Sequence, residues 1–278
     1  MRKKSFKQTL FLVIKRTLFR GKIAGIYYLR KRESKKHCFI LCDPRSGSNL
    51  LLSYLNSNPN AYFGGEILCP TQAVSVRLRF ISKKTVFRHM HHFVNHQDYP
   101  VSGAKIFFSH LESRGITLKE LDQEFPEAKW LILYRGNILD QYLSMQLLLK
   151  TGCIIQFKNM KHEKPEPIQI ETPIPKTRWR AHCEQIRNRY KDVLKIPGMR
   201  DKSLWVSYDE LVNAPQTLFD EAIFPFLNLP RNLVQTDMVK QNIWKYPEII
   251  ANYNEVKDFI EQTDSTHSYE RHPNEPKP

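Results

Sequence analysis

The apolar positions of this chain alternate between short unbroken runs and stretches of helical period. Cys38-Phe39-Ile40-Leu41-Cys42 is apolar throughout, as expected for a parallel strand covered on both faces. Asp43-Pro44-Arg45-Ser46-Gly47-Ser48-Asn49 interrupts it, and Leu50 to Leu55 opens a helix. Val74, Leu78, Ile81, Val86 and Phe93 predict a helix over residues 71–94. Further strands are expected at Val101 to Phe108, Trp130 to Tyr134 and Ser203 to Ser207. Helices are expected at Leu118 to Phe125, Ile138 to Leu149, Trp179 to Leu194, Gln216 to Leu227 and Ile249 to Ile260. Pro165, Pro167, Pro173 and Pro175 exclude a continuous helix between them, so residues 151–178 read as an extended insertion of the sort that shapes a pocket. The order implies an α/β fold: a P-loop-like, doubly wound and mostly parallel sheet flanked by helices, with ligands beyond the carboxyl ends of the strands.

Composition narrows the class. With 278 residues and 41% apolar content the chain is expected to fold as one large domain, residues 37–262, followed by a disordered tail over residues 263–278. The net charge of +15 is concentrated: residues 1–36 hold thirteen Lys or Arg against the single acid Glu33, leaving only about +3 on the body. A nucleic-acid binder carries its basic surface on the folded domain, so no nucleic-acid partner is expected. The run Leu10 to Ile14 is too short to span a bilayer and lacks a signal-peptide cleavage pattern. Residues 1–36 read as a basic amphipathic segment, either packed on the domain or in peripheral contact with an anionic membrane. Five widely spaced cysteines with no C-x-x-C suit reduced thiols in a cytoplasmic protein.

The chemistry begins at the loop after the first strand. A strand, a Gly/Ser loop and a helix start converge free N–H groups and the helix dipole on an anion, and Arg45 adds a fork suited to phosphate or sulfate oxygens. The lysine of G-x-x-x-x-G-K-[ST] is missing, which counts against a nucleoside-triphosphate kinase. Asp43 to Leu51 resembles the 5′-phosphosulfate loop of sulfotransferases that use 3′-phosphoadenosine 5′-phosphosulfate (PAPS), in the arginine-containing form of tyrosylprotein and bacterial nodulation-type carbohydrate or glycolipid sulfotransferases. Tyr134-Arg135-Gly136-Asn137 through Ser144 resembles the family's 3′-phosphate motif, with the nine-residue step from Arg135 to Ser144 typical of the nodulation type. Val206 to Leu211 resembles the segment whose tyrosine borders the adenine, although Asp209-Glu210 reverses the usual order of acids. The resemblance spans roughly residues 37–262.

What it implies is specific. Arg45, Ser46, Gly47, Ser48 and Asn49 would bind the 5′-phosphosulfate, Arg135 and Ser144 the 3′-phosphate, and Tyr208 the adenine. Glu66, twenty-one residues after Arg45, resembles the glutamate base of the tyrosylprotein enzymes, with His110 as the alternative base. Lys105 and Arg45 would stabilise charge on the leaving phosphate. The expected activity is transfer of sulfuryl from PAPS to a hydroxyl of a carbohydrate or glycolipid, with no metal. The rival readings are a small-molecule or nucleotide kinase and a non-catalytic, membrane-recruited nucleotide-binding module. Cys69, three residues beyond Glu66, is discounted as a nucleophile because no histidine partners it in a recognised arrangement. Lys240-Gln241-Asn242 is a candidate basic loop over the 3′-phosphate.

Overall fold

The computed structural model describes residues 36–69, 82–96, 98–160, 164–170, 176–240 and 244–266. The basic segment preceding Lys36, the first part of the helix expected over 71–94, and Gln241 and Asn242 lie outside them. Among the described residues no helix is long and apolar enough to cross a membrane.

Five parallel strands form the main sheet: β1 (Lys36–Cys42), β2 (Ala61–Glu66), β3 (Val101–Phe107), β4 (Lys129–Tyr134) and β6 (Ser203–Ser207), in the order β2-β3-β1-β4-β6. The order reverses at β1, the central strand, so its carboxyl end opens into the crevice where ligands of doubly wound sheets sit. The period of two along β1 explains its unbroken apolar run. Phe39 and Leu41 join one buried cluster with Trp130, Ile132, Met90, Leu143 and Tyr190. Cys38, Ile40 and Cys42 face the other, with Leu51, Leu55, Phe219 and Phe224. Each such side chain taken fully out of water contributes roughly 1.5–3 kcal/mol.

Two short elements lie over the carboxyl edge. β5 (Gln156–Phe157) pairs antiparallel with β7 (Met238–Val239), tying the start of the proline-rich insertion to a late segment. Further along, Ile168 bridges Ile250, and Asn252 holds both the N–H and the carbonyl of Ile170 through its amide. That bridge also breaks the helix expected over Ile249 to Ile260. Ile250 is extended, so a short helix Tyr246–Ile249 precedes a separate one, Tyr253–Thr266, which continues beyond the Thr263 where the tail was expected to begin. The segment Gln216 to Leu227 is helical as expected, with a π turn over Phe219–Ile223.

β2 has no counterpart among the sequence expectations. It is a six-residue edge strand, AYFGGE, whose two glycines obscure the strand pattern. Its register with β3 slips between Gly64 and Glu66, and the bulge sets Glu66 opposite Lys105.

Gly103 shows how tightly β3 is held. A Cβ there would fall 1.8 Å from the Cys38 carbonyl oxygen and 2.7 Å from the Phe63 ring. Gly103→Ala is therefore expected to lower unfolding free energy by at least about 2 kcal/mol, read from the urea midpoint. An unchanged midpoint would contradict this account of the β1/β3/β2 contact.

Candidate active site

The helix Ser48–Leu55 starts without a side-chain cap: Gly47 at its N-cap offers none. The N–H groups of its first turn therefore point out of the loop with the positive end of the helix dipole behind them. Two residues bend the chain into this position. Arg45 sits at φ +66° and Gly47 at φ +92°. For Arg45 that left-handed backbone is a strained choice, of the kind stored at functional sites. Gly47 is required twice over, because a Cβ at this position would also lie 2.4 Å from the Tyr208 ring.

The loop is anchored from below. Gln141 donates to the Pro44 carbonyl at 2.7 Å, and Ser46, fully buried, donates to the Asp43 carbonyl at 2.8 Å. The Tyr190 hydroxyl accepts from the Asp43 N–H and donates to the Leu133 carbonyl, lashing β1 to β4 where both end. Arg189 grips the buried Asp43 carboxylate at 2.7 Å and Glu112 at 2.8 Å. Burial nevertheless dominates at Asp43, whose pKa is pushed up to about 6 against the pull of Arg189.

Above the loop is one cleft of about 520 Å³, a volume ordinary for an organic ligand. Arg45, from the tip of β1, and Arg135, from the tip of neighbouring β4, both line it. Arg135 Nη1 donates to the Arg45 carbonyl at 3.4 Å, its guanidinium stacks on the Tyr208 ring at 4.6 Å, and Nη2 pairs with Asp140 at 3.0 Å. Arg45 Nε donates to Ser144 Oγ at 3.0 Å and Nη1 to the Ile154 carbonyl at 3.2 Å. Burial, and next the charge of Arg135, lower the Arg45 pKa. Arg45, Lys105, Arg135 and Lys240 face Glu66 and Asp140 around the cleft, an excess of positive charge that a polyanionic ligand would neutralise.

At the far wall the β2 bulge brings Glu66 Oε1 to 3.2 Å from Lys105 Nζ. Lys105 is 2% exposed and donates to Asn49 Oδ1 at 2.7 Å, which ties the lysine to the anion loop. His110 lies behind this pair, with Nε2 3.9 Å from Glu66 Oε2. It does not line the cleft, and burial lowers its pKa. Met145, Leu148, Ile155, Val212 and Val239 supply an apolar wall opposite.

Of the residues singled out from sequence, Arg45, Gly47, Ser48, Asn49, Glu66, Lys105, Arg135, Ser144 and Tyr208 all border this cleft. Ser46 does not, its hydroxyl being turned into the core. Ser144 bonds Arg45 rather than Arg135, because the helix Ile138–Thr151 runs back across the loop. Lys240 reaches the cleft. Sequence reasoning missed Asp140, which pairs with Arg135 and accepts from the Tyr246 hydroxyl at 2.9 Å; its place five residues after Arg135, in the first turn of a helix, was the available signal. It also missed that Cys69 meets His110 and Glu66, with ligand atoms of all three within 4.8 Å of one another.

No family model matches the chain, and no curated protein matches it. Among solved structures it is similar to a sulfotransferase from Alicyclobacillus acidocaldarius, at 16% identity and a TM-score of 0.49, covering 83% of this chain and 93% of that one. It is also similar to sulfotransferase STF9 from Mycobacterium avium, at 11% identity and a TM-score of 0.44, covering 84% and 77%. Both TM-scores fall below 0.5, so function has to be read from the residues of the cleft.

Asp43 carries a pH signature. Its folded-state pKa, about 6, lies above the ordinary 3.8, so its contribution to stability is complete below pH 3.8 and is lost as pH rises through 6. Wild-type stability should therefore fall relative to Asp43→Asn across that window in urea titrations. Parallel curves for the two proteins would show that Arg189 compensates burial in full.

Proposed function

We propose that this chain is a sulfotransferase that moves the sulfuryl group of PAPS to a hydroxyl of a carbohydrate or glycolipid acceptor. The observation that carries the reading is the sharing of one cleft by Arg45 and Arg135, on neighbouring strand tips around an uncapped helix start. PAPS presents two anionic ends joined by an adenosine, which asks for two cationic clamps facing a single trough. The N–H groups and side chains of Gly47, Ser48 and Asn49, with Arg45, are assigned to the 5′-phosphosulfate. Arg135 and Ser144 are assigned to the 3′-phosphate, and Tyr208 and the apolar wall to the adenine. Ser46 supports the loop rather than the ligand, its buried hydroxyl bonding the Asp43 carbonyl.

The chemistry follows from charge placement. Glu66 takes the acceptor hydroxyl proton, because it is the carboxylate beside Lys105 that reaches the cleft, whereas His110 is shut behind it. Lys105 and Arg45 lie on the loop side, where negative charge accumulates as the sulfuryl group leaves its phosphate. Asn49 accepts from Lys105 and so fixes the ammonium against that loop. Incubating the protein with radiolabelled PAPS and fractionated glycan and lipid extracts identifies the acceptor class; absence of label from every fraction counts against the assignment.

Two substitutions separate binding from chemistry. Arg135→Ala is expected to weaken calorimetric binding of 3′-phosphoadenosine 5′-phosphate by about 1.5–3 kcal/mol, the range for hydrogen bonds to charged groups. Unchanged affinity would remove the 3′-phosphate role. Glu66→Gln is expected to slow transfer by about a hundredfold or more while leaving nucleotide affinity close to wild type. Near-normal turnover in that variant would transfer the base role elsewhere.

A further inference from the structure

We propose that Glu66, Cys69 and His110 form a three-ligand site for a zinc-class divalent cation in the inner wall of the cleft. One ligand atom from each lies within 4.8 Å of the others, and thiol sulfur, imidazole nitrogen and carboxylate oxygen are the donors that this class of cation selects. The placement is built rather than accidental. Cys69 and Glu66 are joined by a tight turn in which the Cys69 N–H donates to the Glu66 carbonyl at 3.1 Å. Arg114 Nε donates to the Leu68 carbonyl inside that turn at 2.9 Å, fastening it to the end of the helix Phe108–Ser113 that carries His110.

The independent sign of a ligand is the state of His110. It is 8% exposed, its Nδ1 is buried with no hydrogen-bond partner among the described residues, and its Nε2 is 3.9 Å from Glu66, beyond hydrogen-bond range. A buried ring nitrogen without a partner is costly, and Nε2 makes no hydrogen bond to Glu66. Of the three, Glu66 borders the cleft, which puts the site within reach of water or ligand from that side. Lys105 opposes binding: its ammonium is 3.2 Å from Glu66 Oε1, while Oε2 is the oxygen 3.9 Å from His110, so a cation at the site shares the carboxylate with a buried positive charge. The site is therefore an exchangeable one. Occupation removes Glu66 from proton transfer and inhibits the reaction; only this consequence rests on the sulfotransferase reading.

The test is titration of the chelator-treated full chain with Co²⁺, following thiolate-to-cobalt charge-transfer absorption, then displacement by Zn²⁺. One Co²⁺ per chain is expected to bind with thiolate absorption. Cys69→Ser should abolish that absorption, Cys153→Ser should keep it, and His110→Ala should weaken binding by about tenfold or more. Thermal melting by circular dichroism checks that each variant folds; if Cys69→Ser does not, His110→Ala and Cys153→Ser decide. Absence of thiolate absorption in the wild type, its survival in Cys69→Ser, or unchanged affinity in His110→Ala would overturn the proposal. Metal binding by a protein that transfers to no acceptor would leave this inference standing and count against the sulfotransferase reading alone.

Discussion

The cleft depends on the turn by which β1 enters its helix. Holding Arg45 and Gly47 at positive φ is what frees the first N–H groups of Ser48–Leu55 and swings the Arg45 side chain over toward Ser144. Such a turn does not hold itself. Gln141, Tyr190 and Arg189 come from two different helices to fix Pro44 and Asp43, so the packing of those helices is linked to the geometry of the loop. Tyr208 presses on Gly47 from the tip of β6 and carries Arg135 on its other contact. Tyr208 thus links the loop to Arg135, whose charge adds to burial in lowering the Arg45 pKa.

A second constraint acts at β2. An edge strand gains a bulge at low cost, and here it turns Glu66 onto Lys105 and into the cleft. The pair joins Glu66 to the loop after β1 through Asn49, so carboxylate, lysine and loop are linked by an ion pair and a hydrogen bond. The same turn that follows the bulge delivers Cys69 to His110.

Much of this was legible in the chain. Unbroken apolar runs identified β1 and β4 because strands covered on both faces leave few polar positions to blur the pattern, whereas β3 carries Ser102 and Lys105 and the edge strand β6 is only partly buried. The strand-loop-helix turn was legible because it lies in one contiguous stretch, Asp43 to Asn49. β2 was not, since Gly64 and Gly65 suppress strand propensity and an edge needs little apolar surface. The pairing of Ser144 with Arg45, the support of Asp43 by Arg189 and the meeting of Cys69 with His110 join residues far apart in sequence, and no local spacing encodes them. Ser46 illustrates the converse: motif position placed it in the loop, but only packing shows its hydroxyl directed inward.

The most direct measurement is a crystal structure with 3′-phosphoadenosine 5′-phosphate. The account predicts the 5′-phosphate against the N–H groups of Gly47, Ser48 and Asn49, and the 3′-phosphate between Arg135 and Ser144, with Asp140 displaced from the Arg135 fork. A nucleotide bound outside the cleft, or held by one arginine with the other still on its protein partners, would contradict it.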